Sequence, residues 1–384
     1  MAPNLPPPEN KVFYPALDGM RAFAILLVFS EHYILTLLPA SLRWGWTGVD
    51  FFFVLSGFLI TGILYDTRNA SHRFRNFYVR RSLRIFPLYY GVLLATLMLT
   101  PVFHWTWSRV WFLWPFYLGN YARFADLRNF HPGHDPMNIL FSRRTLLPTY
   151  FGHFWSICVE EQFYLAWPVL VFFIRNRIRL RNLCFGVILI EPILRLLASC
   201  FASQRLLQAD LLYLATPLRL DALLLGAALA LMLRGDEAAT LRRFAGTFFA
   251  LVTPCFLLMV CAKPYLAGWP AIFPHLMDAL SFTVVDFTAA GVLLLALNPD
   301  TLVFRLFTLK PLQRLGQVSY GFYVFHYLPA AYYDHYLRLL IGRYTSHVQL
   351  ILIPVAFLST LALSLLSFRY FEAPFLRLKG RFTV

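Results

Sequence analysis

The residues best suited to proton-transfer chemistry lie in long apolar stretches, where charged side chains are costly. In the first stretch, 17–38, Asp18, Arg21 and His32 follow one helical face. Three helical turns separate the arginine from the histidine, which places them about 16 Å apart along the helix axis. Because imidazole accepts and returns a proton near neutral pH, we interpret His32 as a general base, with a satisfied interior histidine as the alternative.

A second apolar stretch, GVDFFFVLSGFLITG, holds Asp50 near one end and Ser56 about two turns deeper. Gly57, next to the serine, lets a ligand or another backbone approach closely. Helix packing is the commoner reason for such a glycine.

An arginine cluster follows that second stretch. RFRNFYVRRSLRIFP carries Arg80, Arg81 and Arg84, the last two on neighbouring turns. The enrichment of Lys and Arg in the cytoplasmic loops of membrane proteins explains such a cluster as well as ligand binding does. With Arg21 added, the guanidiniums predict an anion clamp, since Arg binds phosphate oxygens in bidentate fashion.

Two adjacent carboxylates, Glu160 and Glu161, occupy the stretch HFWSICVEEQFYLAWP. Ser156, Glu160 and Tyr164 recur at every fourth position and so share a helical face. Counting the helical rise from the end of each helix, we expect a glutamate of this pair to lie at the depth of His32 and to meet it.

These charges occur in a chain that is too apolar for a water-soluble enzyme. Of its 384 residues, 59% are hydrophobic and 14% charged, and the mean hydropathy is +0.60. Runs long enough to cross a hydrocarbon core of about 30 Å recur along it, and in lipid they satisfy their backbone groups as helices. We therefore predict an all-α, polytopic transmembrane helix bundle. For Asp221, two residues after Arg219, we favour a structural ion pair with an intramembrane Arg.

About ten membrane spans are predicted, with both termini cytoplasmic. They lie near 17–38, 48–66, 86–103, 154–174, 182–203, 218–233, 244–262, 276–298, 318–340 and 348–368. This orientation places most of the 34 basic residues inside, as expected for short cytoplasmic loops. The segment 108–121 is too short to cross and contains Pro115, so we predict an interfacial or re-entrant piece on the outer side.

The chain divides into a disordered N-terminal tail (1–16), a transmembrane domain (17–372) and a cytoplasmic C-terminal tail (373–384). Its net charge of +15 is spread over loops, which excludes nucleic acid as a partner. The five cysteines have no CxxC spacing, so neither a disulfide framework nor a zinc site is indicated. We expect no metal site; a zinc site at His131 and His134 of the outer loop is the alternative to a solvated polar loop.

Several motifs resemble, in order, the signatures of the acyltransferase-3 family of integral-membrane O-acyltransferases. They are LDGMRAFAILLVFSEH, GVDFFFVLSGFLITG, FYVRRSLRIFPLYY, HFWSICVEEQFYLAWP, RLDALLLGAALA, VSYGFYVFHY and FEAP. Met20 and Ala22 replace residues that are often Leu and Gly in the first motif. The chain ends soon after FEAP without the SGNH-type esterase domain fused to some members, so we expect any second acyl-transfer step to need another protein.

The resemblance implies acyl transfer from acyl-CoA, usually acetyl-CoA, which binds from the cytoplasm as a co-substrate, with no tightly bound cofactor. It implies an acceptor hydroxyl on a carbohydrate or lipid-linked saccharide, and a site among the lipids of the bacterial inner membrane. By residue match, the family motifs correspond to Arg21 with His32, to Ser56, Gly57 and Phe58, to Arg81 with Arg84, and to Glu160 with Glu161.

We assign the candidate site on this basis. The expected donor-binding residues are Arg21, Arg80, Arg81, Arg84, Gly57 and Phe58. The expected catalytic residues are His32, Glu31, Asp50, Ser56, Glu160 and Glu161. The expected acceptor-binding or structural polar residues are Trp155, Ser156, Tyr164, Arg219, Asp221, Tyr320 and His326.

In the expected mechanism, His32 takes the proton of the acceptor hydroxyl as it attacks the thioester. Glu31, Asp50 or a glutamate of the VEEQ segment orients the ring, and Ser56 donates to the oxyanion. A ping-pong variant with the acyl group on His32 or Ser56 is an alternative. The competing classes are a transporter or channel, which would use the intramembrane charges as its path, and a purely structural subunit.

Overall fold

The fold is almost entirely helical. A computed structural model describes residues 14–39, 43–131, 135–138, 140–142, 148–262, 272–342 and 347–382. The helices are α1 (Pro15–Tyr33), α2 (Gly48–Asp66), α3 (Arg73–Phe103), α4 (Ala122–Ala125), α5 (Trp155–Phe173), α6 (Arg177–Phe201), α7 (Gln204–Gln208), α8 (Leu211–Leu214), α9 (Leu220–Met232), α10 (Ala238–Ala262), α11 (Ile272–Ala296), α12 (Leu302–Phe307), α13 (Lys310–Gln317), α14 (Ser319–Phe325), α15 (Ala330–Ile341), α16 (Val348–Ser367) and α17 (Ala373–Leu378).

Seven helices in the described part of the chain are long and apolar enough to cross a membrane. They are α2, α3, α5, α6, α10, α11 and the helix that begins with α16. This agrees with an all-α integral membrane protein. The first helix, α1, has 19 residues and carries three charged side chains, and α9 has only 13 residues, fewer than the roughly 20 that a straight crossing needs.

The predicted span 318–340 is not one helix. It is divided into α14 and α15 by a turn from His326 to Pro329. Hydropathy does not detect this break because it is averaged over a window much longer than the four residues of the turn. A proline lacks the backbone N–H that a continuing helix would use, and Pro329 lies at the N-cap of α15.

The segment that was predicted not to cross contains short structures only. It holds two short 3₁₀ turns, Trp111–Phe116 and Gly119–Tyr121, and directly follows the strand β1 (Trp105–Trp107). β1 pairs antiparallel with β2 (Leu140–Ser142), which pairs antiparallel with β3 (Pro148–Thr149). This small sheet is the exception to the all-α prediction, and its strands are too short to disturb the helical bundle.

Glycines allow the central helices to approach backbone to backbone. A Cβ on Gly57 would lie 1.8 Å from the Leu223 carbonyl oxygen of α9, and one on Gly226 would lie 1.9 Å from the Val54 oxygen of α2. Neither distance is compatible with a side chain, so α2 and α9 depend on both glycines for their contact. Gly57 therefore serves helix packing, the commoner of its two interpretations.

Both predicted tails contain ordered residues. Helix α1 begins at Pro15, inside the segment 1–16, of which residues 1–13 lie outside the described part. The segment 373–384 forms α17 and a further turn, Lys379–Arg381. Arg80 of α3 donates to the Phe382 carbonyl oxygen over 3.1 Å, so this C-terminal segment packs against α3.

Candidate active site

Two cavities lie along α1, and the candidate residues divide between them. We call the first the arginine cavity; its volume is about 110 Å³. Its polar lining residues come from α1, α2, α3, α5 and α14 and are Arg21, Ser56, Arg81, Arg84, Ser156, Glu160, Tyr164, Ser319, Tyr320 and Tyr323. We call the second the histidine cavity; its volume is about 770 Å³, and it contains His32 and His153.

The position of Arg81 in the arginine cavity is fixed by α5. Its guanidinium lies 3.8 Å from the centre of the Tyr164 ring, a cation–π contact. Its Nε lies 3.9 Å from Oε1 of Glu161. The Tyr164 hydroxyl is hydrogen-bonded to Ser56 of α2, and Glu160 lies beside both hydroxyls. The fourfold spacing of Ser156, Glu160 and Tyr164 thus does place them on one cavity wall, as predicted.

Arg84 is the cation of this cavity that is most available to a ligand. It lies one turn beyond Arg81 on α3 and makes no hydrogen bond to any residue in the described part of the chain. Arg21 is instead paired with Asp18 on its own helix. A partly buried guanidinium without a hydrogen-bond partner, beside other arginines, is an energetic cost that an anionic ligand would offset.

Two more cations approach this cluster from outside the cavity. Arg80 is held by the Phe382 carbonyl, and the Lys379 ammonium lies near enough to Arg84, Arg81 and Arg21 to be repelled by each of them. The sequence analysis missed Lys379, since nearly three hundred positions separate it from α3. Tyr320, predicted as a polar site residue, lines the cavity and donates to the Ile85 carbonyl oxygen over 2.8 Å.

The histidine cavity has an aromatic and polar lining. Its aromatic rings include those of Trp46, Tyr150, Trp155, Tyr213, Phe282, Tyr323 and Tyr327, and its charged residues are Glu31, Arg43, Arg123, Asp135 and Asp210. Tyr150 stacks on Tyr327 with 4.7 Å between ring centres. Burial raises the pKa of Tyr150 above its ordinary value, and the charge of Asp334 adds to the shift, so its phenol remains a hydrogen-bond donor.

Three imidazoles meet at one end of this cavity. Nε2 of His326 lies 3.3 Å from Nδ1 of His32, and the His153 ring centre lies 4.9 Å from that of His326. Nδ1 of His32 also lies 2.9 Å from the Val28 carbonyl oxygen, one turn earlier in α1. In the described part of the chain, no carboxylate forms a hydrogen bond with any of these rings. Among the same residues, no group of three His, Cys, Asp or Glu side chains is arranged to hold a metal ion.

Tyr323 forms a wall between the two cavities, since it lines both. Its hydroxyl donates to the His153 carbonyl oxygen and is 2.6 Å from the Ser156 hydroxyl oxygen. Any group that moved from the arginine cavity to the histidine cavity inside the bundle would have to pass this side chain.

The expected meeting of His32 with an acidic partner does not occur. Glu160 lines the arginine cavity beside Ser56, while His32 lines the histidine cavity. The helical rise predicts how deep each side chain lies along its helix, but it does not predict the direction in which the side chain points around the helix axis. Glu31 lines the histidine cavity but accepts the Trp46 backbone N–H over 3.2 Å.

Asp50 belongs to a separate buried cluster. It pairs with Arg219, and Asp221 pairs with Arg195 of α6, so Asp221 does form an ion pair with an intramembrane arginine. Arg219 and Asp221 are two positions apart, and side chains at that spacing do not face each other. Two more buried acids, Glu191 and Asp286, complete the cluster, which lines neither cavity.

Of the remaining expected site residues, only some lie at a cavity surface. Gly57 faces α9, and Phe58 is buried and makes a T-shaped ring contact with Tyr14, so neither lines the arginine cavity. Trp155 lines the histidine cavity and packs against Tyr213 at 4.5 Å between ring centres. The zinc alternative falls partly on His134, which lies outside the described residues.

Fold and site together define a polytopic helical membrane protein with a cationic cavity and an imidazole-containing cavity on one bundle. The family model described as an acyltransferase domain matches residues 14–369. Because this match covers most of the chain, the protein belongs to the acyltransferase-3 family, as its motifs indicated. No solved structure matches the chain.

Two curated relatives are similar to most of this chain. The peptidoglycan O-acetyltransferase OatA of Listeria monocytogenes is 27% identical over 345 aligned positions, which cover 83% of this chain and 49% of the relative. The O-acetyltransferase OatA of Staphylococcus aureus is 27% identical over 386 aligned positions, covering 96% and 58% respectively. The chain thus spans about half the length of the curated relatives it matches.

Proposed function

We propose that this protein is a membrane O-acyltransferase that moves an acetyl group from acetyl-CoA to a hydroxyl of a carbohydrate or lipid-linked saccharide. The observation that carries the proposal is the pair of cavities on one bundle, one cationic and one lined by the imidazole of His32. Family membership supports the acyl-transfer chemistry, and the names of the relatives support a cell-envelope acceptor.

The arginine cavity suits the donor. Its free guanidinium, Arg84, and the neighbouring Arg81 and Arg21 favour an anion such as a phosphate of coenzyme A. A volume of about 110 Å³ admits a narrow chain but not a nucleotide. We therefore place the nucleotide outside the cavity at the Arg80 and Lys379 end, with a phosphate on Arg84, which lies near Lys379, and the thin pantetheine arm directed along α1 towards the histidine cavity.

The histidine cavity suits the acceptor. At about 770 Å³ it lies within the range of small-molecule sites, and its stacked aromatic rings offer flat surfaces to a sugar ring. At its rim, Arg123 holds Asp135 through two hydrogen bonds of 3.0 and 2.6 Å and also pairs with Asp210. This network keeps polar groups at the edge of the cavity for hydroxyl recognition.

His32 is the proposed general base. Its Nε2 takes the proton of the acceptor hydroxyl while the hydroxyl oxygen attacks the thioester carbonyl. Collapse of the tetrahedral intermediate breaks the carbon–sulfur bond, and the imidazolium returns the proton to the leaving thiolate. The alternative is a ping-pong route with the acyl group on His32 or on Ser56, which lies in the arginine cavity.

A transport pathway receives less support. Four of the intramembrane charges that it could use, Asp50, Arg195, Arg219 and Asp221, pair with one another and line neither cavity.

The test is acetyl transfer by purified protein in lipid nanodiscs, with radiolabelled acetyl-CoA and saccharide acceptors. We expect Arg84→Gln to raise the KM for acetyl-CoA roughly 10- to 150-fold, the value of a lost charge-assisted hydrogen bond. Arg75→Gln, an exposed arginine of the same helix, is the matched control and should leave KM unchanged. His32→Gln should lower kcat by about two to four orders of magnitude.

The proposal is wrong if the protein neither binds acetyl-CoA nor consumes its thioester. If Arg84→Gln and Arg75→Gln change the KM for acetyl-CoA equally, the placement of the donor in the arginine cavity is wrong, but the proposed reaction is not. Label that stays on the protein when acceptor is omitted would select the ping-pong route.

A further inference from the structure

We infer that His326 is a positioning residue for His32: it accepts a hydrogen bond from Nδ1–H of His32 and so turns the unprotonated Nε2 of that ring towards the acceptor. This inference rests on the proposed function, because it names the group that orients the proposed base. It replaces the carboxylates that the sequence analysis had suggested for that task.

The protonation of His326 follows from its neighbour. Its Nδ1 lies 2.7 Å from the Tyr323 carbonyl oxygen. A carbonyl oxygen only accepts hydrogen bonds, so Nδ1 carries the hydrogen. In a neutral imidazole the other nitrogen, Nε2, is then an acceptor.

The protonation of His32 follows by the same reasoning. Its Nδ1 lies 2.9 Å from the Val28 carbonyl oxygen and 3.3 Å from Nε2 of His326. Both neighbours are acceptors, so Nδ1 of His32 is the donor and shares its hydrogen between them. Nε2 of His32 is therefore the unprotonated nitrogen, the one that a hydroxyl of the acceptor must meet.

A cationic His326 fits this environment poorly. The side chain is 0% exposed, and in the described part of the chain no carboxylate hydrogen-bonds to it. His153 lies at its ring edge and donates through Nε2 to the Val324 carbonyl oxygen over 3.2 Å. Removing a charge from water without a partner is costly, so the neutral form prevails.

The backbone keeps His326 in place. Tyr33, the residue after His32, donates its hydroxyl to the His326 carbonyl oxygen over 2.6 Å. His326 lies where α14 ends, so this bond links the turn between α14 and α15 to the last turn of α1. The break in the predicted span 318–340 thus occurs where the side chain of His326 must face α1.

The consequence for the reaction is an arrangement in which a neutral acceptor does what a carboxylate does in a Ser-His-Asp triad. It holds one tautomer of the base and stabilises the imidazolium that forms when the proton arrives. His326 itself touches neither donor nor acceptor.

Three substitutions separate positioning from packing. The amide oxygen of Gln reaches about as far as Nε2 of histidine, so His326→Gln keeps an acceptor for His32. The amide of Asn ends at the position of Nδ1, so His326→Asn keeps only the contact with the Tyr323 carbonyl. His326→Leu removes both.

We expect His326→Asn and His326→Leu to lower kcat about a hundredfold or more with the KM for acetyl-CoA unchanged, and His326→Gln to stay within about tenfold of the wild type. Monodisperse elution checks the fold of each variant. Equal activity of the Asn and Gln variants, or a change confined to KM, would overturn the inference.

A second measurement does not depend on activity. Nitrogen-15 NMR of histidine-labelled wild-type protein in nanodiscs reports which ring nitrogen carries hydrogen. The His326 signals are assigned as those absent from the spectrum of the Gln variant. If that variant does not fold, the Asn or Leu variant serves the same purpose. We expect hydrogen on Nδ1 of both His326 and His32. Hydrogen on Nε2 of His326 would overturn the inference even if acetyl transfer is found, and the expected tautomers would stand even if acetyl-CoA is not the donor.

Discussion

The contact between α2 and α9 makes Gly57→Ala the most sharply defined stability test. The added Cβ would lie 1.8 Å from the Leu223 carbonyl oxygen, whereas ordinary contacts begin near 3.4 Å. The helices would have to separate by about 1.6 Å at this point. The clashing atom belongs to the backbone, so no rotation of a side chain relieves it.

The expected cost exceeds that of ordinary overpacking, which is about 1–3 kcal/mol, because a whole helix must move. Alanine is the better helix former by about 1 kcal/mol, so intrinsic propensity acts in the opposite direction. Gly186→Ala in α6 and Gly246→Ala in α10 are matched controls, since a Cβ at either position meets nothing within 4 Å. Both should be neutral or slightly stabilising.

Thermal unfolding in detergent, followed by the fraction that elutes as a single species, compares the three variants. We expect the midpoint of Gly57→Ala to fall by several degrees while those of the controls stay the same or rise. A Gly57→Ala midpoint equal to that of the controls would refute the backbone contact. Acetyl transfer should fall with stability here, because Ser56 of the arginine cavity is the adjacent residue.

Two further predictions concern buried polar groups. Arg195→Leu should destabilise the protein by about 3–5 kcal/mol because it leaves the Asp221 carboxylate buried and unpaired. Arg338→Leu is the control; it removes an exposed ion pair and should cost less than about 1 kcal/mol. Equal losses of stability in thermal unfolding would contradict the buried pair. Tyr323→Phe should lower the free energy of unfolding by about 1–3 kcal/mol, because it leaves the buried His153 carbonyl without its donor. Tyr90→Phe is the control; the Tyr90 hydroxyl donates from an exposed position, so its loss should cost less. The reverse order would show that the Tyr323 hydroxyl does not hold this side chain between the two cavities.

Much of the fold could be predicted from hydropathy alone. The predicted spans 48–66 and 154–174 agree closely with α2 (Gly48–Asp66) and α5 (Trp155–Phe173). The error at 318–340 has a physical cause. Hydropathy averages over a window of about 20 residues, so a four-residue turn between two helices changes the average too little to mark a break.

The candidate site was predictable only where its residues share a helix. Helical spacing placed Arg21 and His32 on one face of α1 and Glu160 with Tyr164 on one face of α5. Contacts between helices carry no such periodicity. His326 lies 294 positions from its partner His32, and sequence alone gave it only an acceptor-binding or structural polar role.

The buried charge cluster has a consequence for synthesis of the protein. Asp50 comes from α2, Arg195 and Glu191 from α6, Asp221 from α9 with Arg219 at the N-cap of that helix, and Asp286 from α11. Because Asp50 meets its partner 169 positions later, α2 must enter the bilayer long before its charge is neutralised. A nascent chain halted before α9 would carry a lone carboxylate in lipid, a defect by which membrane quality control could recognise unfinished copies.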